Sequence, residues 1–221
     1  MISTRLAENV LDSIKVDPAH HQVLLENDQV RVLRWFVGVG DTTLHHSHPS
    51  NLNICLTDYM GKVTEPNAKV SKVQAKAGSV TWRQAGSHAV ENLTQQPMEG
   101  IIVEPKQPVS MRPAGSPDPV AVDPEHHKIE FENEQIRVLR EHREPGDLPQ
   151  HGHPDSVQVL LTDSNVILTT VAGKTQSIAG KAGEVRWRPA TEHRGTVLGE
   201  KAMEQILVEM KGKPGLKTVG G

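Results

Sequence analysis

The strongest constraint on this chain is that its sequence repeats itself. Asp17-Pro18-Ala19-His20-His21 returns as Asp123-Pro124-Glu125-His126-His127, and Glu26-Asn27-Asp28-Gln29-Val30-Arg31-Val32-Leu33-Arg34 returns as Glu132-Asn133-Glu134-Gln135-Ile136-Arg137-Val138-Leu139-Arg140, at an offset of 106. One residue is lost before the middle of the repeat. From there the offset is 105: Ala77-Gly78-Ser79-Val80-Thr81-Trp82-Arg83 matches Ala182-Gly183-Glu184-Val185-Arg186-Trp187-Arg188, and Ile101-Ile102-Val103-Glu104 matches Ile206-Leu207-Val208-Glu209. A period this long means two copies of one domain of about 90 residues, well beyond the roughly 20–50 residue units of solenoids and propellers. The organisation it predicts is an N-terminal segment (1–16), a first domain (17–106), a Pro-rich linker (107–121), a second domain (122–211) and a tail (212–221). Ile2, Leu6, Val10, Leu11 and Ile14 recur near the helical period after a capping Ser3, which predicts a short amphipathic helix over 2–15.

Inside each repeat the signals are those of strands. Val30–Val37, Val157–Leu161 and Gly100–Val103 are short, β-branched-rich runs, punctuated by Gly, Pro, Asn and Asp every 8–12 residues or so. Apart from the N-terminal segment, no stretch supports a helix of any length. The fold class is all-β, with an antiparallel sandwich or barrel in each half.

Charge and composition narrow the partners. The net charge is −3, from 24 basic and 27 acidic residues mixed along the chain, and aromatic residues make up only 3%. Neither a basic footprint nor a stacking surface for nucleic acid is present, and nothing marks an anionic membrane surface. No apolar run approaches the length of a membrane helix, and the first residues lack the apolar core of a secretory signal. The single cysteine, Cys55, fits a reducing compartment and reads as a small core residue. The reading is a cytoplasmic protein with a small-molecule substrate, no nucleic acid and no membrane.

The chemistry is carried by histidines. His46-Ser47-His48-Pro49 recurs as His151-Gly152-His153-Pro154, and each copy is followed about 40 residues later by a third histidine, His88 or His193. Residues two apart on a strand share a face, so His46 and His48 point together, as do His151 and His153. With a third imidazole from a later strand, each half offers a three-histidine set with open positions, suited to Fe²⁺, Mn²⁺, Ni²⁺, Zn²⁺ or Co²⁺, up to two ions per chain. His20-His21 and His126-His127 are also repeated. Adjacent strand residues face opposite ways and cannot both reach one ion, so these pairs read as structural.

The motifs carry a resemblance. Gly40 followed by His46-Ser47-His48 resembles the first motif of the cupin superfamily, and Gly78 through Trp82, Gln84, Gly86 and His88 to Asn92 resembles the second; Gly183 through Trp187, Pro189 and His193 resembles the second again. The resemblance covers both repeats and implies a small bicupin: two jelly-roll β-barrels, each holding one metal by the two histidines of the first motif, a glutamate five positions on, and the histidine of the second. Here the sequence departs from the pattern. Asn53 and Gln158 stand where the glutamate belongs. Gln158 is long enough to reach a metal through its carbonyl oxygen, whereas Asn53 is a methylene shorter and acts through water or not at all. The second half is therefore the stronger candidate, with His151, His153, Gln158 and His193.

Sites with three histidines and no acid resemble those of cupin dioxygenases, so the resemblance implies a metal-dependent dioxygenase of a small organic substrate. The same ligands allow a redox-neutral lyase or isomerase, with the metal as Lewis acid, and a non-catalytic metal- or ligand-binding bicupin is the alternative from another class. No general base is evident in the sequence. Trp82 and Trp187 read as barrel core; Arg34 and Arg140, or Arg83 and Arg188, are candidates to anchor a carboxylate substrate, with solvated strand faces as the reading taken. Leu52, Ile54 and Leu56, with Val157, Val159 and Leu161, lie opposite the Asn53/Gln158 face, which predicts a cover from the other half or from a second subunit in a homodimer.

Overall fold

Each copy of the repeat folds into its own set of strands. The computed structural model describes residues 11–106 and 110–211, and it divides into two units, Met1–Lys106 and Gln107–Gly221. Among the described residues, the first unit has β1 (His21–Glu26), β2 (Val30–Val37), β3 (His46–His48), β4 (Asn51–Cys55), β5 (Tyr59–Thr64), β6 (Val70–Ala75), β7 (Val80–Arg83), β8 (Gly86–Asn92) and β9 (Met98–Pro105). The second has β10 (His127–Glu132), β11 (Ile136–Arg143), β12 (Gly146–His153), β13 (Ser156–Leu160), β14 (Ser164–Thr170), β15 (Thr175–Gly180), β16 (Val185–Arg188), β17 (Thr191–Val197) and β18 (Met203–Met210). In each unit a five-stranded and a four-stranded antiparallel sheet form, in the orders β1-β2-β9-β4-β7 and β3-β8-β5-β6, then β10-β11-β18-β13-β16 and β12-β17-β14-β15. The all-β expectation holds.

The local chemistry is duplicated with the sequence. The side-chain oxygen of Asn27 accepts from the amides of Gln29 and Val30 at 2.8 and 3.0 Å, and Asn133 does the same for Gln135 and Ile136 at 2.8 and 3.0 Å. Such Asx turns close the β1–β2 and β10–β11 hairpins. Each first strand carries one bulge, between Val23 and Leu25 or between Ile129 and Phe131. Gly78 and Gly183 turn the chain into β7 and β16 with φ of 81° and 80°, a backbone that favours glycine. Inside the first unit, Leu33, Trp35, Val37, Cys55, Tyr59, Met98 and Ile102 form a buried cluster, with Cys55 as the small core residue anticipated.

Three expectations change. The N-terminal helix was placed over 2–15. Residues 1–10 lie outside the described residues, and the helix seen is the single turn α1 (Ser13–Val16), capped by the Asp12 carboxylate on the Ile14 amide rather than by Ser3. The end of the linker is also a helix, α2 (Pro119–Val122), capped in the same way by Asp118 on Val120. The repeat therefore starts at Asp12 and Asp118. Finally, Trp82 and Trp187 are half-buried, not core. They pair with Leu52 and Val157, on the sheet face opposite Asn53 and Gln158. Leu52, Ile54, Val157 and Val159 have 0% exposure, so β4 and β13 are buried on both faces. Among the described residues no helix is long and apolar enough to cross a membrane.

Candidate metal centres

In the first unit β3 pairs with β8 so that His46 stands opposite His88, and β1 brings His21 to the same place. The ring centroids lie 4.4 Å apart for His21 and His46, 5.0 Å for His46 and His48, 4.8 Å for His46 and His88, and 5.8 Å for His48 and His88. His21, His46 and His48 are buried, and one ring nitrogen from each falls within 4.8 Å of the others. His88 joins them as a packed ring outside that donor group.

Hydrogen bonds fix which nitrogen faces inward. Nδ1 of His46 lies 2.8 Å from the Leu44 carbonyl, Nδ1 of His21 lies 3.2 Å from the Asp17 carbonyl, and Nδ1 of His48 lies 2.8 Å from Oε1 of Glu104. These oxygens only accept, so Nδ1 carries the proton and Nε2 keeps its lone pair. Nε2 of His48 is buried without a hydrogen-bond partner. Burial, reinforced by the neighbouring rings, lowers His21 and His46 from 6.5 to about 4 and His88 to about 2. Neutral, pre-oriented imidazoles around an orphaned donor fit a divalent transition metal.

Glu104 ties this group to the rest of the barrel. It is 2% exposed and accepts from Arg31 Nε at 2.5 Å as well as from His48. Arg31 in turn meets the helix cap Asp12 at 2.8 Å. The same chain of contacts recurs as His153 to Glu209 at 2.7 Å, Glu209 to Arg137 at 2.5 Å and Arg137 to Asp118 at 2.8 Å. A carboxylate holding a ligand histidine sets its tautomer and ring angle. Glu104→Gln and Glu209→Gln are expected to weaken metal binding about 10–100-fold, read by competition with a chromophoric chelator.

The second unit repeats the rings and changes their surroundings. His127, His151 and His153 form the matching donor group within 4.8 Å. His193 stands opposite His151, centroids 4.8 Å apart, and 5.7 Å from His153. Nδ1 of His151 donates to the Pro149 carbonyl at 2.7 Å, and burial lowers His151 to about 4 and His193 to about 3. His127, however, is already engaged. Arg143, 1% exposed, places Nη2 2.6 Å from His127 Nε2 and Nη1 2.7 Å from Asp123. A guanidinium is donor only, so it uses the lone pair that His21 keeps free in the first unit.

Around Arg143 lies a polar wall that the first unit lacks. Glu141 stands where the first unit has Trp35, Arg143 where it has Val37, and Gln205 where it has Gly100. Burial would raise the Glu141 carboxyl, but His127 and Arg143 outweigh it and hold the group well below the usual range. In the first unit, a Cβ on Gly100 would meet the Trp35 ring at 2.6 Å, so the glycine makes room for the indole, and Trp35 Nε1 donates to the Asn53 carbonyl at 2.8 Å. Asn53 is thereby occupied by Trp35. Gln158 is not: its Nε2 donates to Gln205 at 2.6 Å, and its Oε1 is buried without a partner on the cavity wall shared with His151, His153 and His193.

Several participants were missed or misplaced by the sequence reading. One histidine of each adjacent pair does face inward, His21 and His127, while His20 turns out to Asp17 and Asp41. Their repetition in register was the available signal. Arg34 pairs with Glu99, and Arg140 with Glu130 and Glu204. Arg83 and Arg188, expected on solvated faces, line the two cavities instead, because they pair across strands with the inward-facing Asn51 and Ser156.

No protein-family model matches the chain, and no curated protein matches its sequence. Solved structures do match in fold. AerE from Microcystis aeruginosa superposes with a TM-score of 0.61 at 12% identity, covering 89% of this chain and 95% of its own. A tryptophan-to-phenylalanine variant of Bacillus subtilis oxalate decarboxylase gives 0.58 at 12% identity, over 87% and 72% of the two chains. A structure of that decarboxylase concerned with its Mn(II) centres gives 0.55 at 9% identity, over 90% and 77%. Likeness at this level of identity establishes the architecture.

Proposed function

We propose that this chain, which has the fold of a bicupin, is a metal-dependent enzyme that works on a small organic substrate in its second barrel, with dioxygenation as the reaction. The observation that carries the proposal is the difference at His127. In the first barrel His21 keeps its lone pair and completes a three-imidazole donor group with His46 and His48, against which the His88 ring packs, the arrangement of a structural site. In the second, Arg143 withdraws His127. His151, His153 and His193 are left to hold the ion, with the free Gln158 Oε1 as the fourth donor, and positions stay open for reactants.

A divalent metal bound there supplies Lewis acidity to a substrate oxygen, and iron adds the redox change that O₂ chemistry needs. The protein's own groups do the rest. Glu209 holds the His153 ring. Glu141 starts deprotonated and keeps Oε1 free of hydrogen bonds in the cavity wall, 3.6 Å from His127 Nε2, where it faces a bound substrate as a proton acceptor. That carboxylate also favours a second reading, a redox-neutral lyase or isomerase in which proton transfer replaces O₂ chemistry.

Chain loaded with Fe²⁺ is expected to consume O₂ with a carboxylate, diketone or flavonoid from a test panel. His151→Ala with His153→Ala should remove that activity by at least a hundredfold and leave the melting temperature within a few degrees, while His46→Ala with His48→Ala should keep turnover. Uptake that survives the first pair would overturn the assignment to the second barrel. Conversion that proceeds under nitrogen would replace dioxygenation by the redox-neutral reading.

A further inference from the structure

Polar atoms without partners are concentrated in the wall of the second cavity. Ser156 is 0% exposed, and its Oγ has no hydrogen-bond partner. Directly across the strand pair stands Arg188, a half-buried guanidinium that makes no hydrogen bond or ion pair within the described residues and whose pKa is lowered, first by burial and then by Arg186. On the same wall are two acceptors without a hydrogen bond, Gln158 Oε1 and Glu141 Oε1, the latter 3.6 Å from His127 Nε2. Buried polar groups are normally satisfied, so a set of four around one cavity asks for a ligand.

The orientation of the acceptors follows from a short chain of reasoning. Glu141 Oε2 can only accept, so Gln205 must turn its Nε2 to it, at 2.9 Å. Gln205 then offers Oε1 to Gln158, at 2.6 Å, and Gln158 must answer with Nε2. Its Oε1 is left facing away from the network, free for the metal. At the matching position of the first barrel Asn53 is satisfied internally by Trp35.

We infer that the second cavity binds a small hydroxycarboxylic acid, its carboxylate held by Arg188 and the Ser156 hydroxyl, its hydroxyl donating to Glu141. The guanidinium supplies the paired donors a carboxylate takes. Glu141 does not repel such a ligand as a bare charge would, since Arg143 and Gln205 already engage it. The free volume, about 60 Å³, holds four to six groups at roughly 10–15 Å³ each, the size of an acid of two to four carbons. This inference names the substrate class of the proposed enzyme site and rests on that reading for its location.

The test is calorimetric binding of three probes to the metal-loaded full chain. Lactate should bind at one site per chain. Propionate, which lacks the hydroxyl, and 1,2-propanediol, which lacks the carboxylate, should each bind at least tenfold more weakly. Arg188→Met should abolish lactate binding yet keep or raise the melting temperature, since it deletes a half-buried cation that makes no hydrogen bond or ion pair, and Ser156→Ala should weaken binding several-fold. Lactate binding that is unchanged in Arg188→Met, or propionate binding equal to lactate, would overturn the inference. A chain that holds metal but ignores lactate sinks this inference and leaves the metalloenzyme standing; lactate binding that depends on Arg188 in a chain that takes up no metal does the reverse.

Discussion

Arg143→Val is expected to destabilise the chain by about 3–5 kcal/mol, the range for removing one partner of a buried ion pair. The substitution puts the first barrel's residue, Val37, into the second barrel's place. Arg143 bonds Asp123 at 2.7 Å, reaches Glu141 at 3.4 Å and donates to His127 at 2.6 Å. With the cation gone, two buried carboxylates face each other across a ring that cannot neutralise both. Urea denaturation followed by far-UV circular dichroism reads the loss as a lower midpoint at constant slope. The loss is not a defect of valine at that position: the triple change Glu141→Trp, Arg143→Val and Gln205→Gly installs the first barrel's whole set and should recover most of the stability, because neighbours in one network do not add independently. A midpoint within about 1 kcal/mol of the wild type for the single variant would show that the ion pair is solvated in solution.

What could be read from the sequence, and what could not, divides along the repeat. His46, His48 and His88 with His151, His153 and His193 were legible because strand periodicity puts them on one face and duplication marks them as a set. Gln158 was legible from its place after the motif. His21 and His127 were set aside because adjacent residues cannot both face inward, an argument that is correct and still leaves one of each pair. Arg83 and Arg188 were placed wrongly for want of register: β7 and β16 show no clean alternation of burial, and only the pairing with Asn51 and Ser156 reveals their side. Glu104 and Glu209 were aligned without a role, since a buried acid at a strand end announces nothing until its arginine and histidine are seen together. Glu141, Arg143 and Gln205 break the repeat while keeping its register. Positions of that kind carry the difference between two barrels that otherwise share their histidines.

The same histidines should make the metal-free chain sensitive to mild acid. Burial first, and neighbouring rings with it, depress His21, His46 and His151 from 6.5 to about 4, His193 to about 3 and His88 to about 2. A group whose pKa is lowered on folding lends stability above its unfolded value and loses it as pH falls, because the unfolded chain then binds protons the folded chain refuses. Each ring contributes up to about 1.4 kcal/mol per pH unit in this window. Five such rings would erode the roughly 5–15 kcal/mol of a typical fold within two or three pH units. Denaturation midpoints of chelator-stripped protein should be flat between pH 8 and 7 and fall steeply below 6.5. The interval from 6.5 to 5 is the diagnostic one, since ordinary carboxylates with values near 4 have barely begun to titrate there. Replacing His88 and His193 by phenylalanine removes two of the five rings and should flatten the slope over that interval. A midpoint that does not move between pH 6.5 and 5 would mean that the folded barrels accept protons on these rings, and that the imidazoles are not held neutral for a metal.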